Sequence, residues 1–200
     1  MKFSLLLILI MGVIPLAGYD ASDYNKLIET KDCIACDLRG ADLHDLDFSG
    51  SDLQKSDLRG ANLAHSIFFM ADLSGADLSD VNASNTVFWK AAMQDANLTR
   101  IHAKGANFKG TSLERSDLSF ADLRQSKSWK ANFSGALTLH TDFTNSELGD
   151  AKFVRNDLRS VRMKGALLWQ THFESVRMSV QQCQYAKKEE AFLDSNSSCK

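Results

Sequence analysis

A five-residue period runs without interruption through most of this 200-residue chain. A central apolar residue recurs at every fifth position from Leu38 to Met178, which gives 29 consecutive units with no net insertion. Leu or Phe occupies 22 of the 29 centres, and Ala, Ser, Thr or Cys occupies 23 of the 29 positions two residues earlier. A repeat that keeps its register over 29 units does not arise by chance, so this period constrains the fold more than any other feature of the sequence.

A period of five matches neither the 3.6-residue period of a helix nor the two-residue alternation of a strand. It requires a backbone that turns once per unit, with one small and one large side chain pointing inward. Asp or Asn precedes the centre in 16 of 29 units, where these residues can hydrogen-bond the backbone of a turn. Eight of the nine glycines after residue 18 lie two positions after a centre, as expected for corners with positive φ.

These units resemble the pentapeptide-repeat family, whose pattern is Ala-(Asp/Asn)-Leu-X-X, and the resemblance covers residues 36–180. It implies an all-β fold, a right-handed quadrilateral β-helix with four units in each coil. The 29 units would then make about seven coils. The resemblance implies little about function, because the family's repeat is a scaffold.

A coil of four units should leave its own, longer period in the sequence, and it does. Central phenylalanines recur at every fourth unit in two series, which are predicted to stack on two sides of the coil: Phe48, Phe68, Phe88 and Phe108, and Phe133, Phe153 and Phe173. At Ala83 and Ala103 the centre is small, but the inward partners Val81 and Ile101 are large. This exchange conserves interior volume, which protein cores tolerate best.

Two units depart from the pattern. Residues 126–130 place Ser128 at a centre, and residues 136–140 place Thr138 at a centre with Leu137 and Leu139 in outward positions. Because the register continues unchanged on both sides, we expect a local bulge or distortion, and a ligand notch is the alternative.

One side of the predicted coil differs in composition from the other three. We call it the aromatic face, and it consists of units 66–70, 86–90, 106–110, 126–130, 146–150 and 166–170. The outward position after the centre holds all three tryptophans of the chain, and the other sides carry mostly Asp, Asn, Ser, Arg and Lys. The candidate interaction residues on the aromatic face are Ile67, Phe69, Met70, Val87, Trp89, Lys109, Trp129, Leu167 and Trp169.

An exposed apolar stripe often marks an interaction site, and Trp and Phe are common binding anchors. We therefore expect the aromatic face to bind a protein partner or a second copy of the chain. Cover by the N-terminal segment or the C-terminal tail of the same chain is an alternative. A membrane surface or a glycan also remains open, because a spaced row of Trp can stack on sugar rings.

The N-terminus has the composition of a secretory signal. Lys2 precedes an apolar run from Ser4 to Ala17, which is shorter than the roughly 20 residues of a bilayer span. We expect cleavage after Gly18 and a periplasmic or secreted bacterial protein, with an uncleaved membrane anchor as the alternative. The predicted organisation is a signal peptide (1–18), an N-terminal cap (19–35), the repeat solenoid (36–180) and a C-terminal helix and tail (181–200).

Both ends of the repeat array are predicted to carry caps, since a bare terminal coil exposes unpaired backbone. Residues 20–31 indicate a short helix or turn with Leu27 and Ile28 against the first coil, and residues 184–193 indicate a helix. The last residues, 194–200, are expected to be a loose tail. Four cysteines in an exported chain suggest oxidation, and the pairing predicted is Cys33 with Cys36 and Cys183 with Cys199.

The sequence gives no indication of catalysis, a cofactor or a metal site. The five histidines fall on different levels and sides of the predicted coil, and the aspartates recur as corner residues. The formal charge of −2, or −3 without the leader, predicts no nucleic-acid binding. Some relatives of the family imitate DNA and bind gyrase. Export and a charge near neutral disfavour that function here, and a non-enzymatic exported scaffold is the prediction.

Overall fold

The computed structural model describes residues 18–200, and the backbone there returns upon itself after every fourth repeat unit. Parallel β-bridges join the units to the fourth unit after them, from Asp32↔Asp52 through Asp157↔Arg177, and units 136–140 and 156–160 are the exception. In a regular coil the centre and the residue two positions after it donate backbone hydrogen bonds to the next coil, as Leu38 does to Asp57 O (2.8 Å) and Gly40 to Arg59 O (2.8 Å). The chain therefore forms a repeat solenoid with parallel coils, as the longer period predicts.

The interior of the solenoid is filled by the two inward positions of each unit. Phe68, Phe88 and Phe108 are fully buried, and their ring centroids are 5.5 and 5.1 Å apart along the stack. Phe133 and Phe153 begin the second stack at 4.9 Å. The predicted volume exchange is also present, because the small centres and their large partners are all fully buried: Ala83, Ala103, Val81 and Ile101.

The corner of a unit, two residues after the centre, adopts the left-handed backbone conformation whether or not it is glycine, with Ser160 and the helical Val180 as exceptions. Gly40 has φ +64° and Gly60 has φ +67°, and Met70, Lys90 and Phe120 have φ between +56° and +61° at the equivalent corners. Glycine is favoured there because it has no Cβ to oppose a positive φ. The same conformation turns the corner side chains outward.

Within residues 18–200, helices and strands of two or more residues occur before the first coil and from Lys152 onward. Its elements are helix α1 (Ala21–Thr30), strands β1 (Lys152–Val154), β2 (His172–Glu174) and β3 (Arg177–Met178), helix α2 (Val180–Lys188), and strands β4 (Phe192–Leu193) and β5 (Ser198–Cys199). Strand β2 pairs in parallel with β1 and β4, and β3 pairs in parallel with β5.

Helix α1 covers the first coil, as predicted. Asp20 caps its N-terminus by accepting hydrogen bonds from the backbone of Ser22 and Asp23. Leu27 is fully buried against the coil, whereas Ile28 points to solvent, so the prediction for Ile28 is wrong. Tyr24 and Leu27, three residues apart, lie on the side of the helix that packs against the coil.

The C-terminal end differs from the prediction. Helix α2 begins at Val180 rather than near 184, because Ser179 and Gln182 form a reciprocal capping box that starts it. The predicted loose tail is instead a continuation of the solenoid, since Phe192 pairs with His172 and Ser198 with Arg177. A disulfide between Cys183 in α2 and Cys199 in β5 ties the two elements together.

The two units that depart from the repeat, 126–130 and 136–140, differ from each other in their backbone pairing. At Ser128 the bridges are regular on both sides, Asn107↔Lys127 and Lys127↔Glu147, so the expected distortion is absent there. Between residues 136–140 and 156–160, however, no backbone–backbone hydrogen bond forms in the described chain. Side chains bridge the gap instead, with Thr138 Oγ1 donating to Asp157 O (3.0 Å) and Asn156 Nδ2 donating to Ala136 O (2.8 Å). Asn156 is larger than the residue usual at its position, and its amide takes the place of the backbone N–H that bonds this carbonyl in a regular coil, as Asp57 N does at Cys36 O.

Candidate interaction surface

The aromatic face is a side of the solenoid whose outward positions carry large apolar side chains on four of its six coils. Trp89 is 38% exposed and Trp169 is 47% exposed. Phe69, Val87 and Trp129 are half-buried against their neighbours, and Lys109 is exposed. The remaining predicted residues of this face are all exposed: Ile67, Met70 and Leu167. The solenoid therefore brings the predicted residues to one side.

These apolar residues form two separate patches. The first patch is Ile67, Phe69, Met70, Val87 and Trp89, and the rings of Phe69 and Trp89 lie 4.9 Å apart. The Nζ of Lys90 lies 5.4 Å from the centroid of the Trp89 ring, within the range of a cation–π interaction. This patch occupies two adjacent coils, and Met70 at its corner is its most exposed member.

The second patch is Trp129, Leu167 and Trp169, and it depends on a glycine. Trp129 and Trp169 lie on coils that are not adjacent, with one coil between them, yet their ring centroids are 5.9 Å apart. Gly149 occupies the intervening coil, and a Cβ added there would lie 2.8 Å from two atoms of the Trp129 indole. Gly149 has no positive φ, so the glycine is required for space and not for backbone conformation.

We expect Gly149→Ala to separate the two indoles without unfolding the coil, because the added methyl group occupies the volume of the Trp129 ring. The tryptophan fluorescence of the variant should change in intensity and emission wavelength, while its circular dichroism stays that of the wild type. Ser119→Ala is the control, since it changes a small residue at the same position of a unit on another side, where the backbone has no positive φ. An unchanged fluorescence spectrum in Gly149→Ala would contradict the close packing of Trp129 and Trp169.

A band of lysines lies between and beside the two patches. It consists of Lys90, Lys109, Lys127 and Lys130, and in the described part of the chain none of them has a carboxylate within 4.0 Å. A shallow groove of about 390 Å³ runs through the band beside Trp129 and Glu147. Outside the band, the carboxylates of Asp47, Glu147 and Asp150 lie on the same side of the solenoid. The charges of this face are thus separated into bands.

Within residues 18–200 the aromatic face is not covered by the ends of the chain. Helix α1 lies at the first coil, and helix α2 with β4 and β5 continues the last coil. The exposure of Trp89 and Trp169 agrees with this arrangement. The predicted leader falls almost entirely on residues 1–17, which lie outside the described residues.

The other sides carry acidic columns that arginines neutralise. The guanidinium of Arg39 makes two hydrogen bonds to Asp37, of 2.8 and 2.6 Å, and Arg100 does the same for Asp80 one coil away, at 2.6 Å for each bond. The hydrogen bond from Arg39 is the main reason that the pKa of Asp37 is lowered. The same pairing recurs at four further sites: Asp57–Arg59, Asp95–Arg115, Asp122–Arg124 and Asp157–Arg159.

Sequence reasoning missed a further exposed apolar cluster. Phe120 occupies a corner, is 54% exposed, and its ring lies 5.3 Å from that of His140. Leu137 and Leu139, which the sequence did mark as irregular, are exposed beside it. They line a cleft of about 540 Å³ next to Arg155 and Arg159, where the two coils are separated. A large apolar residue at a corner position is the signal that could have identified Phe120.

The four cysteines form two disulfides, one at each end of the solenoid. The structure joins Cys33 to Cys36 and Cys183 to Cys199, which is the predicted pairing. In residues 18–200 no group of three or more His, Cys, Asp or Glu side chains is arranged to hold a metal ion. Over the same residues, none of the helices has the length and hydropathy needed to cross a bilayer.

The sequence matches the family described as pentapeptide repeats, with eight copies of the repeat over residues 32–68, 71–110 and 93–135. These ranges cover 102 of 200 residues (37 in the first range, and 65 in the overlapping second and third). The chain is therefore a member of the pentapeptide repeat family, as the resemblance predicts.

Solved structures of the same family are similar to this chain. HetL, a pentapeptide repeat protein involved in heterocyst differentiation regulation in the cyanobacterium Nostoc sp. PCC 7120, is 22% identical, with 80% of this chain and 83% of HetL covered and a TM-score of 0.43. A pentapeptide repeat protein of the Arabidopsis thaliana thylakoid lumen is 30% identical over 55% of this chain and 79% of its own, with a TM-score of 0.35. QnrB1, a plasmid-mediated fluoroquinolone resistance protein, is 17% identical over 82% and 96%, with a TM-score of 0.35. No curated protein matches the chain significantly.

Proposed function

We propose that this chain is a non-enzymatic, exported scaffold that binds protein through its aromatic face. The observation that carries the proposal is the concentration of large exposed apolar side chains on one side, including Trp89 and Trp169. Solvent-exposed Trp side chains in contact with other aromatic rings are common anchors of protein interfaces. The lysine band supplies a polar surround that can fix the orientation of a partner.

Two features of the chain support the remaining parts of the proposal. The two disulfides favour an oxidising, extracytoplasmic compartment, periplasmic or secreted. The family resemblance favours a right-handed, quadrilateral coil with about seven turns, and parallel bridges between units that lie four apart are consistent with four sides. A flat side of such a coil offers a partner a row of side chains at a spacing of about 4.8 Å.

Glycan binding through the Trp column and gyrase binding are the alternatives, and the geometry disfavours both. The indoles of Trp129 and Trp169 are tilted by 43° and touch each other, so they do not form two coplanar platforms for successive sugar rings. Imitation of DNA requires continuous rows of negative charge. In this chain the arginines of pairs such as Asp37–Arg39 and Asp122–Arg124 interrupt those rows.

Site-specific photo-crosslinking in the native host tests the proposal. A photoreactive amino acid replaces Met70 or Leu167 on the aromatic face, and in the matched control it replaces Gln94 on another side. We expect covalent adducts from the first two positions and none from the control. Equal adduct formation at all three positions, or none at any, would contradict a binding role for this face. The mass of the adduct reports whether the partner is the same chain or another protein.

A further inference from the structure

We propose that the partner of the aromatic face is a second copy of this chain, packed face to face and antiparallel about a twofold axis at Trp89. The inference rests on the proposed function, since it names the partner of the same surface. Its basis is the order in which charges and apolar groups follow one another along the face.

The aromatic face carries both signs of charge in separate bands. Asp47 lies one coil before the first patch, and its nearest basic partner, Lys31 Nζ, is 4.0 Å away. The lysine band follows the first patch, and Glu147 and Asp150 follow the band. A surface of a single sign, such as an anionic bilayer or a nucleic acid, would attract the lysine band but repel the acidic bands on either side. A surface that carries the same bands in reverse order places an acidic band opposite the lysine band.

A second copy supplies that reverse order. When two identical faces pack about a twofold axis that lies in the interface and across the coils, the order of the coils is reversed, but each outward column still faces itself. The column before the centre reads Asp47, Ile67, Val87, Asn107 and Lys127 on successive coils. An axis at the coil of Val87 therefore places Asp47 of one copy opposite Lys127 of the other, twice by symmetry.

The same axis matches the remaining columns. In the column after the centre, Trp89 meets Trp89 of the second copy, and Phe69 lies opposite Lys109. In the corner column, Met70 lies opposite Gly110, which has no side chain to oppose it. The apolar first patch is thereby buried at the centre, with an ion pair on each side of it. This is the usual arrangement of an interface with an apolar core and a polar rim.

Other arrangements of two copies are less favourable. An axis one coil further toward the C-terminus places Lys90 opposite Lys130 twice, and one coil toward the N-terminus places the charged Asp47 side chain over the apolar Val87. A parallel pair of chains places every band opposite its own copy. Like charges across an interface cost free energy, and so does covering a carboxylate with an apolar side chain. The antiparallel arrangement at Trp89 leaves one like pair, between the two copies of Lys90, at an exposed corner where each Nζ already lies over its own Trp89 ring.

Charge exchange between two variants tests the proposal. Residues 19–200 are purified, and the dissociation constant of the dimer is measured by sedimentation equilibrium. We expect a dimer in the wild type and at least about a tenfold weaker dimer in Trp89→Ala. Phe120→Ala, an exposed aromatic residue on another side, is the matched control and should not change the constant. Asp47→Lys and Lys127→Asp should each weaken self-association, since each places like charges opposite one another.

A mixture of Asp47→Lys with Lys127→Asp should form a heterodimer as tight as the wild type, because both ion pairs are then restored across the interface. This rescue also shows that each single variant is folded. A wild type that stays monomeric, or a mixture that associates no better than the single variants, would overturn the proposal. Monomeric protein that cosediments with phosphatidylglycerol vesicles would also overturn it. In those cases a crosslink to a different protein would still support the proposed function, whereas the absence of any crosslink would contradict both.

Discussion

Phe88→Ala is expected to lower the free energy of unfolding by about 3–5 kcal/mol, which is the cost typical of removing a buried phenyl ring. Phe88 is fully buried in the middle of its stack, 5.5 Å from Phe68 and 5.1 Å from Phe108. The cavity cannot easily collapse, because backbone hydrogen bonds above and below hold the coils at a fixed spacing. Phe88 donates its amide to Asn107 O at 2.8 Å, and Phe68 donates to Val87 O at 2.7 Å.

Urea denaturation followed by circular dichroism measures this effect, with Phe120→Ala as the control. Phe120 is 54% exposed, so we expect its replacement to cost less than about 1 kcal/mol. The slope of the free energy with denaturant must be compared between variants, since repeat proteins can unfold in more than one step. Equal destabilisation by the two substitutions would show that the phenyl stack is not the rigid core of the solenoid.

Replacing Cys183 and Cys199 together by alanine is expected to destabilise the C-terminal end by about 3 kcal/mol, the entropic value for a closed loop of about 15 residues. The bridge spans 16 positions and joins α2 to β5. The last coil has a neighbour on one side only, so it has few other contacts to hold it. We expect this end to open while the rest of the solenoid stays folded.

Hydrogen exchange at the amides of the last coil measures that opening. Phe192 donates to Thr171 O at 2.9 Å and Ser198 donates to Val176 O at 2.9 Å, and both amides should lose protection in the double variant. The amide of Leu98, in the middle of the rod, should keep its protection. Cys33→Ala with Cys36→Ala is the matched control, because a bridge between residues three apart closes a much shorter loop. Unchanged protection at Phe192 and Ser198 would contradict a stabilising role for the second disulfide.

The repeat made most of the fold predictable. Once every fifth residue is assigned to the interior, the stacking of Phe68 on Phe88 and the exchange of volumes at Ala83 and Val81 follow from the four-unit period alone. The two ends of the solenoid were less predictable, because their residues do not follow the five-residue repeat. The start of α2 depends on a local capping box at Ser179 and Gln182, and the path of Phe192 depends on pairing with strand β2 of the preceding coil.

The aromatic face was predictable for the same reason, since column membership needs only the register. The contacts between side chains on that face could not be predicted from the register. The contact between Trp129 and Trp169 depends on Gly149, which has no side chain. The repeat pattern does not predict a glycine at that position. Phe120 was missed because corner residues vary freely in a coil, so a single large apolar residue there does not disturb the repeat.

The gap between residues 136–140 and 156–160 has a mechanical consequence. A tensile load along the axis of a solenoid is resisted by the hydrogen bonds between adjacent coils, level by level. On this side the bonds between neighbouring backbones are replaced by contacts from Thr138, Asn156 and Ser160 side chains, which can rotate away as backbone groups cannot. On the other sides the backbone bonds between the same coils persist, as from Phe143 N to Arg162 O (2.7 Å), so this side is the weakest of the four under such a load.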